Sequence, residues 1–207
     1  MHWQEAFFRD RLALPGILLS FGPSMKHQIK RTYRVAKYVI YRQTIVEPID
    51  HLWTFIGAFI GIGAIGLIQP TSLGMQDNIF LIGSFGASAV LVFGATNSPL
   101  AQPRNLVGGH LFSALIGVLI HLLLPHHLWL SAALSVSLAI VVMQITKTMH
   151  PPGGATALIA NIGSEKIKAL GFYYILSPVM SGVLILLVVA LIVNNIPRHR
   201  NYPYKRK

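Results

Sequence analysis

The chain has 207 residues, 53% of them hydrophobic and 11% charged, with no cysteine and a formal charge of +11. A soluble domain is roughly a quarter charged, so this composition describes an integral membrane protein, and the absence of cysteine excludes disulfide and thiolate chemistry. Eight of the seventeen Lys and Arg precede residue 47 and five follow residue 197; basic flanks around an apolar region predict cytoplasmic ends in a cell (inner) membrane, not a nucleic-acid surface.

Residues 1–23 carry Trp3, Phe7, Phe8 and Leu12 but are interrupted by Pro15 and Gly16, so they are expected at the membrane interface. In 24–46, His27, Lys30, Arg31, Arg34 and Lys37 recur at helical spacing, with Ile29, Tyr33 and Ile40 on another face. That pattern predicts a basic amphipathic helix on anionic lipid. Spans are predicted over 52–68, 79–94, 106–124, 128–146 and 172–193, with a short helix from Pro152 to about residue 162. The division is an N-terminal interfacial unit at 1–47, a membrane domain at 48–195 and a basic cytoplasmic tail at 196–207. Basic ends on one side require an even number of crossings, so 153–162 is counted as a crossing. The fold class is all-α: a polytopic helical bundle of about six membrane elements.

The chain is centred on Thr148-Met149-His150-Pro151-Pro152-Gly153-Gly154-Ala155-Thr156-Ala157-Leu158. Consecutive prolines break a helix interior but suit its first turn. The small residues that follow leave the first-turn N–H groups uncovered, and such an end attracts anions. The competing reading is a tight turn with glycines for packing. Gly86-Ala87-Ser88-Ala89-Val90-Leu91 echoes Gly154-Ala155-Thr156-Ala157-Leu158-Ile159. The echo suggests an inverted three-element repeat whose broken half-helices bring two N-termini, 84–88 and 152–156, face to face.

All six acids (Glu5, Asp10, Glu47, Asp50, Asp77, Glu165) fall in predicted tails or loops. A membrane-buried cation needs a partner, so the chain suits an anion or a neutral solute. The candidate substrate-binding residues are Ser84, Gly86, Ala87, Ser88, Arg104, His110, His150, Gly153, Gly154, Ala155 and Thr156. For His110 the alternative is a simple helix–helix hydrogen bond, and for Arg104 a topology signal. No nucleophile motif points to an enzyme. His121, His126 and His127 lack an acid or Cys to complete a metal site, and no cofactor is expected.

Three ordered motifs are Gly83-Ser84-Phe85-Gly86-Ala87-Ser88-Ala89-Val90, Ser98-Pro99-Leu100-Ala101-Gln102-Pro103-Arg104-Asn105 and His150-Pro151-Pro152-Gly153-Gly154-Ala155-Thr156-Ala157-Leu158. Together they resemble the HPP family of integral membrane proteins over roughly residues 48–195. The resemblance implies a small multi-span protein. Characterised members in cyanobacteria and chloroplast envelopes transport nitrite, while most bacterial members have no assigned substrate. The expectation is therefore transport of a small monovalent anion, nitrite above others, by a carrier. The alternatives are an anion channel and a structural or regulatory membrane protein. The glycine faces of so small a bundle also leave it open to homo-oligomerisation.

Overall fold

The computed structural model describes residues 48–68 and 75–204, without the side chains of 75–80 and 82. The interfacial segment at 1–23, the basic helix at 24–46, the loop at 69–74 and the Asp77 side chain lie outside the described residues, and with them the expectations placed there.

Every regular element among the described residues is helical. In chain order they are α1 (Pro48–Ile68), α2 (Met75–Ala89) continuing into a π-helical turn (Val90–Gly94), a 3-10 turn (Pro99–Ala101), α3 (Pro103–Leu123), α4 (Leu128–Ile145), α5 (Pro152–Ile162), α6 (Glu165–Ala169), a second π-helical segment (Ile175–Met180) and α7 (Ser181–Val193). Proline sets several starts: Pro48, Pro103 and Pro152 each occupy the first position of a helix, where a missing N–H costs nothing. α4 ends in a Schellman turn. Thr148 N–H donates to Met143 O at 2.9 Å and Lys147 N–H to Gln144 O at 3.2 Å, with Lys147 at φ 56° where glycine is usual.

One end of the bundle, here the near face, gathers the start of α1, the 95–102 loop, the 146–151 loop and the C-terminal segment. Arg200 bonds the Asp50 carboxylate through Nε and the Asp50 carbonyl through Nη2 at 2.7 Å. Tyr202 OH donates to Ala101 O at 2.7 Å and Tyr204 N–H to Gln102 Oε1 at 2.8 Å. Arg104 Nη2 donates to Thr146 O at 2.8 Å and Asn105 Nδ2 to Met149 O at 2.7 Å. The first and last described segments thus meet on one face, so the described chain passes between the two faces an even number of times.

α5 rises from the near face beside α3. At 11 residues it is roughly 16 Å long, about half a hydrocarbon core. α6 completes the passage, for Ile167 and Lys168 line a cavity of about 10 Å³ with Val118, His121 and Leu122 at the far end of α3. The chain then returns through Tyr174 and α7. That last pass is not the continuous helix expected over 172–193. Ser177 leaves helical backbone (φ −141°, ψ 123°) and Pro178 lies within the segment, removing a helical N–H.

Small residues set the central spacing. A Cβ on Gly117 would lie 2.6 Å from Ala157 O, and one on Gly153 2.7 Å from Ser113 Oγ and 2.8 Å from Gly109 O. α3 and α5 therefore touch backbone to backbone, as small residues permit in lipid. Phe85 packs on Gly182, and Phe93 on Gly57 and Gly61. Beyond this core, Phe55, Phe59 and Leu67 of α1 and Trp129 of α4 are exposed, as a lipid-facing surface requires.

Candidate functional site

Five polar side chains meet where α2, α3 and α5 converge, and all are buried: Ser84 and Thr156 are 2% exposed, and Ser88, His110 and His150 0%. Ser84 and Ser88 lie one turn apart on α2, so both face α5 and α3. His110 is seven residues into α3, roughly 10 Å from its start. His150 comes from the loop before α5 and Thr156 from the second turn of α5.

These side chains form an unbroken hydrogen-bonded chain. Ser84 Oγ lies 2.9 Å from Thr156 Oγ1 and 3.1 Å from Pro152 O. Thr156 Oγ1 lies 2.7 Å from His110 Nδ1. Ser88 Oγ sits between His110 Nε2 at 2.8 Å and His150 Nε2 at 3.0 Å, with Ser84 O at 3.2 Å. His150 Nδ1 lies 2.8 Å from Leu100 O.

One contact orders the whole chain. A carbonyl only accepts, so His150 Nδ1 carries a hydrogen. Among the described residues no carboxylate bonds to either imidazole, and an uncompensated buried cation is costly, so both rings are neutral. His150 Nε2 is then an acceptor and takes the Ser88 hydrogen. His110 Nε2 must donate to Ser88, which leaves His110 Nδ1 to accept from Thr156. Thr156 Oγ1 in turn accepts from Ser84, so the single hydrogens of Ser84 and Ser88 serve these shorter contacts in place of Pro152 O and Ser84 O. All five hydrogens point the same way, from Ser84 towards Leu100.

The structure thus brings together Ser84, Ser88, His110, His150 and Thr156 and leaves the other candidates apart. Gly86 and Ala87 lie on the outward side of α2, where a Cβ on Gly86 would meet nothing within 4 Å. Arg104 is exposed and holds the Thr146 carbonyl at the end of α4. Gly153 and Gly154 lie in the first turn of α5, but their N–H groups donate to His150 O at 2.8 Å and Pro151 O at 3.0 Å. Ala155, the next residue of that turn, is half-buried.

The expected pair of facing helix N-termini does not form. α2 begins at Met75, nine residues before Ser84, so the N–H groups of 84–88 belong to a helix interior. A loop there would have needed a breaker, and Gly83 and Gly86 alone do not end a helix.

Tyr174 was not picked out from the sequence. It is 0% exposed and donates its hydroxyl to Thr156 O at 2.9 Å, but nothing in Phe172-Tyr173-Tyr174 separates it from its exposed neighbours. Asn161 ties three helices together: the two hydrogens of its Nδ2 are shared among Gly117 O at 3.3 Å, Ser135 Oγ at 2.8 Å and Ala157 O at 3.0 Å.

Among the described residues four helical stretches, α1, α3, α4 and the interrupted one from Ile175 to Val193, are long and apolar enough to cross a membrane. Around a buried polar centre they define a polytopic helical membrane protein. The family described as HPP, transmembrane region, matches residues 43–203, and the chain belongs to that family. Two transmembrane proteins of Dictyostelium discoideum are similar to it. One is 52% identical over 154 residues, 73% of this chain and 49% of the relative. The other is 49% identical over 155 residues, 73% of this chain and 54% of the relative. The chain thus matches about half the length of each. No solved structure matches it.

Proposed function

We propose that the protein carries a small monovalent anion across the membrane, with nitrite the best single candidate. The observation that carries this reading is the buried chain of hydroxyl and imidazole groups at the centre of a bundle whose described helices hold acids only in their first turns: Asp50 in α1, paired with Arg200, Asp77 in α2 and Glu165 in α6. Such a centre offers donors to an anion and no counter-charge to a metal or ammonium ion. With the first-turn N–H groups of α5 bonded within the helix start, the groups that would turn to an anion are the side chains Ser84, Ser88, Thr156 and the two imidazoles, exchanging bonds among themselves for bonds to it. Arg104 on the near face would draw anions towards the bundle.

In this reading the near face is cytoplasmic, the membrane is the cell (inner) membrane, and the basic segment 24–46 rests on anionic lipid. The outward Gly83, Gly86 and Ala87 of α2 suit contact with a second copy.

A second reading comes from Ser88 itself, held between two imidazoles as an activated nucleophile would be. Its burial and the carbonyl, rather than carboxylate, partner of His150 Nδ1 favour transport. The test is uptake by the purified full chain in liposomes, with nitrite compared against nitrate, formate and chloride. Saturable, nitrite-selective uptake supports a carrier, and non-saturating flux a channel. Absence of flux from folded, inserted protein would overturn the proposal in favour of a structural or regulatory role.

A further inference from the structure

We propose that the Ser84–Thr156–His110–Ser88–His150 chain is a single-proton store that loads when the anion binds, so that one proton travels with each anion. The inference rests on the anion-carrier reading and deepens it.

The argument is a count of hydrogens. In the neutral chain Ser84 donates to Thr156, Thr156 to His110 Nδ1, His110 Nε2 to Ser88, Ser88 to His150 Nε2, and His150 Nδ1 to Leu100 O. A proton delivered to Ser84 Oγ displaces each hydrogen by one bond. Ser84 passes its hydrogen to Thr156, Thr156 to His110 Nδ1, His110 Nε2 to Ser88 Oγ, and Ser88 to His150 Nε2. Each O–H or N–H bond broken is replaced by one formed, and no group has to rotate. The product is a His150 imidazolium.

The loaded chain is also fully bonded. His150 donates to Leu100 O and Ser88, Ser88 to His110 Nε2, His110 Nδ1 to Thr156 and Thr156 to Ser84. The last hydrogen finds Pro152 O, 3.1 Å from Ser84 Oγ. The same contacts therefore satisfy two opposite polarities that differ by one proton. A hydrogen-bonded core built only for packing needs one.

Leu100 O cannot relay a proton, so the chain is a store with a closed end, not a through-conducting wire. Release requires the His150–Leu100 contact to open. The groups packed around the imidazoles define the missing charge. α2 presents Ser84, Ser88 and Phe85, whose ring centroid is 5.6 Å from that of His110. α5 presents Thr156, and the segment before α7 presents the Tyr174 hydroxyl, which donates to Thr156 O. The imidazole centroids are 5.0 Å apart. None of these neighbours is a carboxylate, Lys or Arg, so among the described residues the loaded imidazolium has no counter-ion, and a bound anion supplies one.

The experiment uses the full chain in liposomes with a nitrite gradient, an internal pH dye and a nitrite assay on the same sample. The expected result is coupled influx of nitrite and protons in equal amounts, rising as external pH falls. Thr156→Val keeps the shape but cannot relay, and should lower both fluxes by about tenfold or more. Thr156→Ser should restore them. Nitrogen-15 spectra of histidine-labelled wild type in lipid nanodiscs test the store without variants. His150 should carry its hydrogen on Nδ1 and His110 on Nε2, and nitrite at constant pH should convert His150 to imidazolium. Nitrite influx without proton influx, or the opposite tautomers, would overturn the store and leave the carrier standing. No nitrite influx at all would overturn both.

Discussion

Ser88 is the residue on which the buried chain turns, because both imidazoles reach it and neither has another partner for its Nε2 atom. Ser88→Ala should leave one buried donor and one buried acceptor unmet, at a cost of about 1–3 kcal/mol each, seen as a lower unfolding midpoint in detergent. The residue types of this chain were legible in the sequence: serines, a threonine and two histidines in apolar surroundings, with no acid to pair a cation. Their order was not, since hydrogen-bond direction depends on which carbonyl faces which ring nitrogen, and Leu100 lies 50 positions from His150. Lys147 is a smaller case. Its φ of 56° costs a non-glycine residue about 1–2 kcal/mol. Lys147→Gly should therefore raise the midpoint slightly, once the greater unfolded-state freedom of glycine is offset.

At the level of elements, the paired glycines of α5 have different tasks. Gly153 faces Ser113 and Gly109 at distances no Cβ tolerates, whereas a Cβ on Gly154 would meet only Val136 Cγ1 at 3.9 Å. Gly153→Ala should destabilise the α3–α5 contact by about 1–3 kcal/mol, and Gly154→Ala should leave the unfolding midpoint within about 0.5 kcal/mol of wild type. Thermal unfolding of the two variants side by side checks both. The Pro-Pro start of α5 was readable from the sequence because proline acts locally. The start of α2 at Met75 was not, because the polar run Gln76-Asp77-Asn78 that follows Met75 does not mark a span. The π-helical turn at Val90–Gly94 was equally hidden. It is sustained by distant partners: Asn194 Nδ2 donates to Val92 O at 3.0 Å and Thr54 Oγ1 to Phe93 O at 3.0 Å, which occupy carbonyls the helix end leaves open.

Across the whole molecule, the C-terminal segment closes the near face. Arg200 links it to Asp50, with side chains 8% and 17% exposed, and Tyr202 is buried. Arg200→Ala should release this segment, since hydrogen bonds to charged groups contribute about 1.5–3 kcal/mol. The Tyr202 amide, which donates to Asn195 Oδ1 at 3.0 Å, should then exchange with deuterium about tenfold faster or more. From the sequence, residues 196–207 read as a basic tail. Only the fold shows that residues 199–204 pack against α1 and the 95–102 loop, because charge patterning reports which side a segment favours and not what it touches.

The same division holds for the protein as a whole. Membrane residence, helical class and the approximate spans follow from hydropathy and proline placement, which act locally or through composition. The assembly of Ser84, Ser88, His110, His150 and Thr156 into one chain was decided by tertiary structure. It depends on backbone contact between α3 and α5 at Gly117 and Gly153, and a close approach between distant segments has no local signature in either of them.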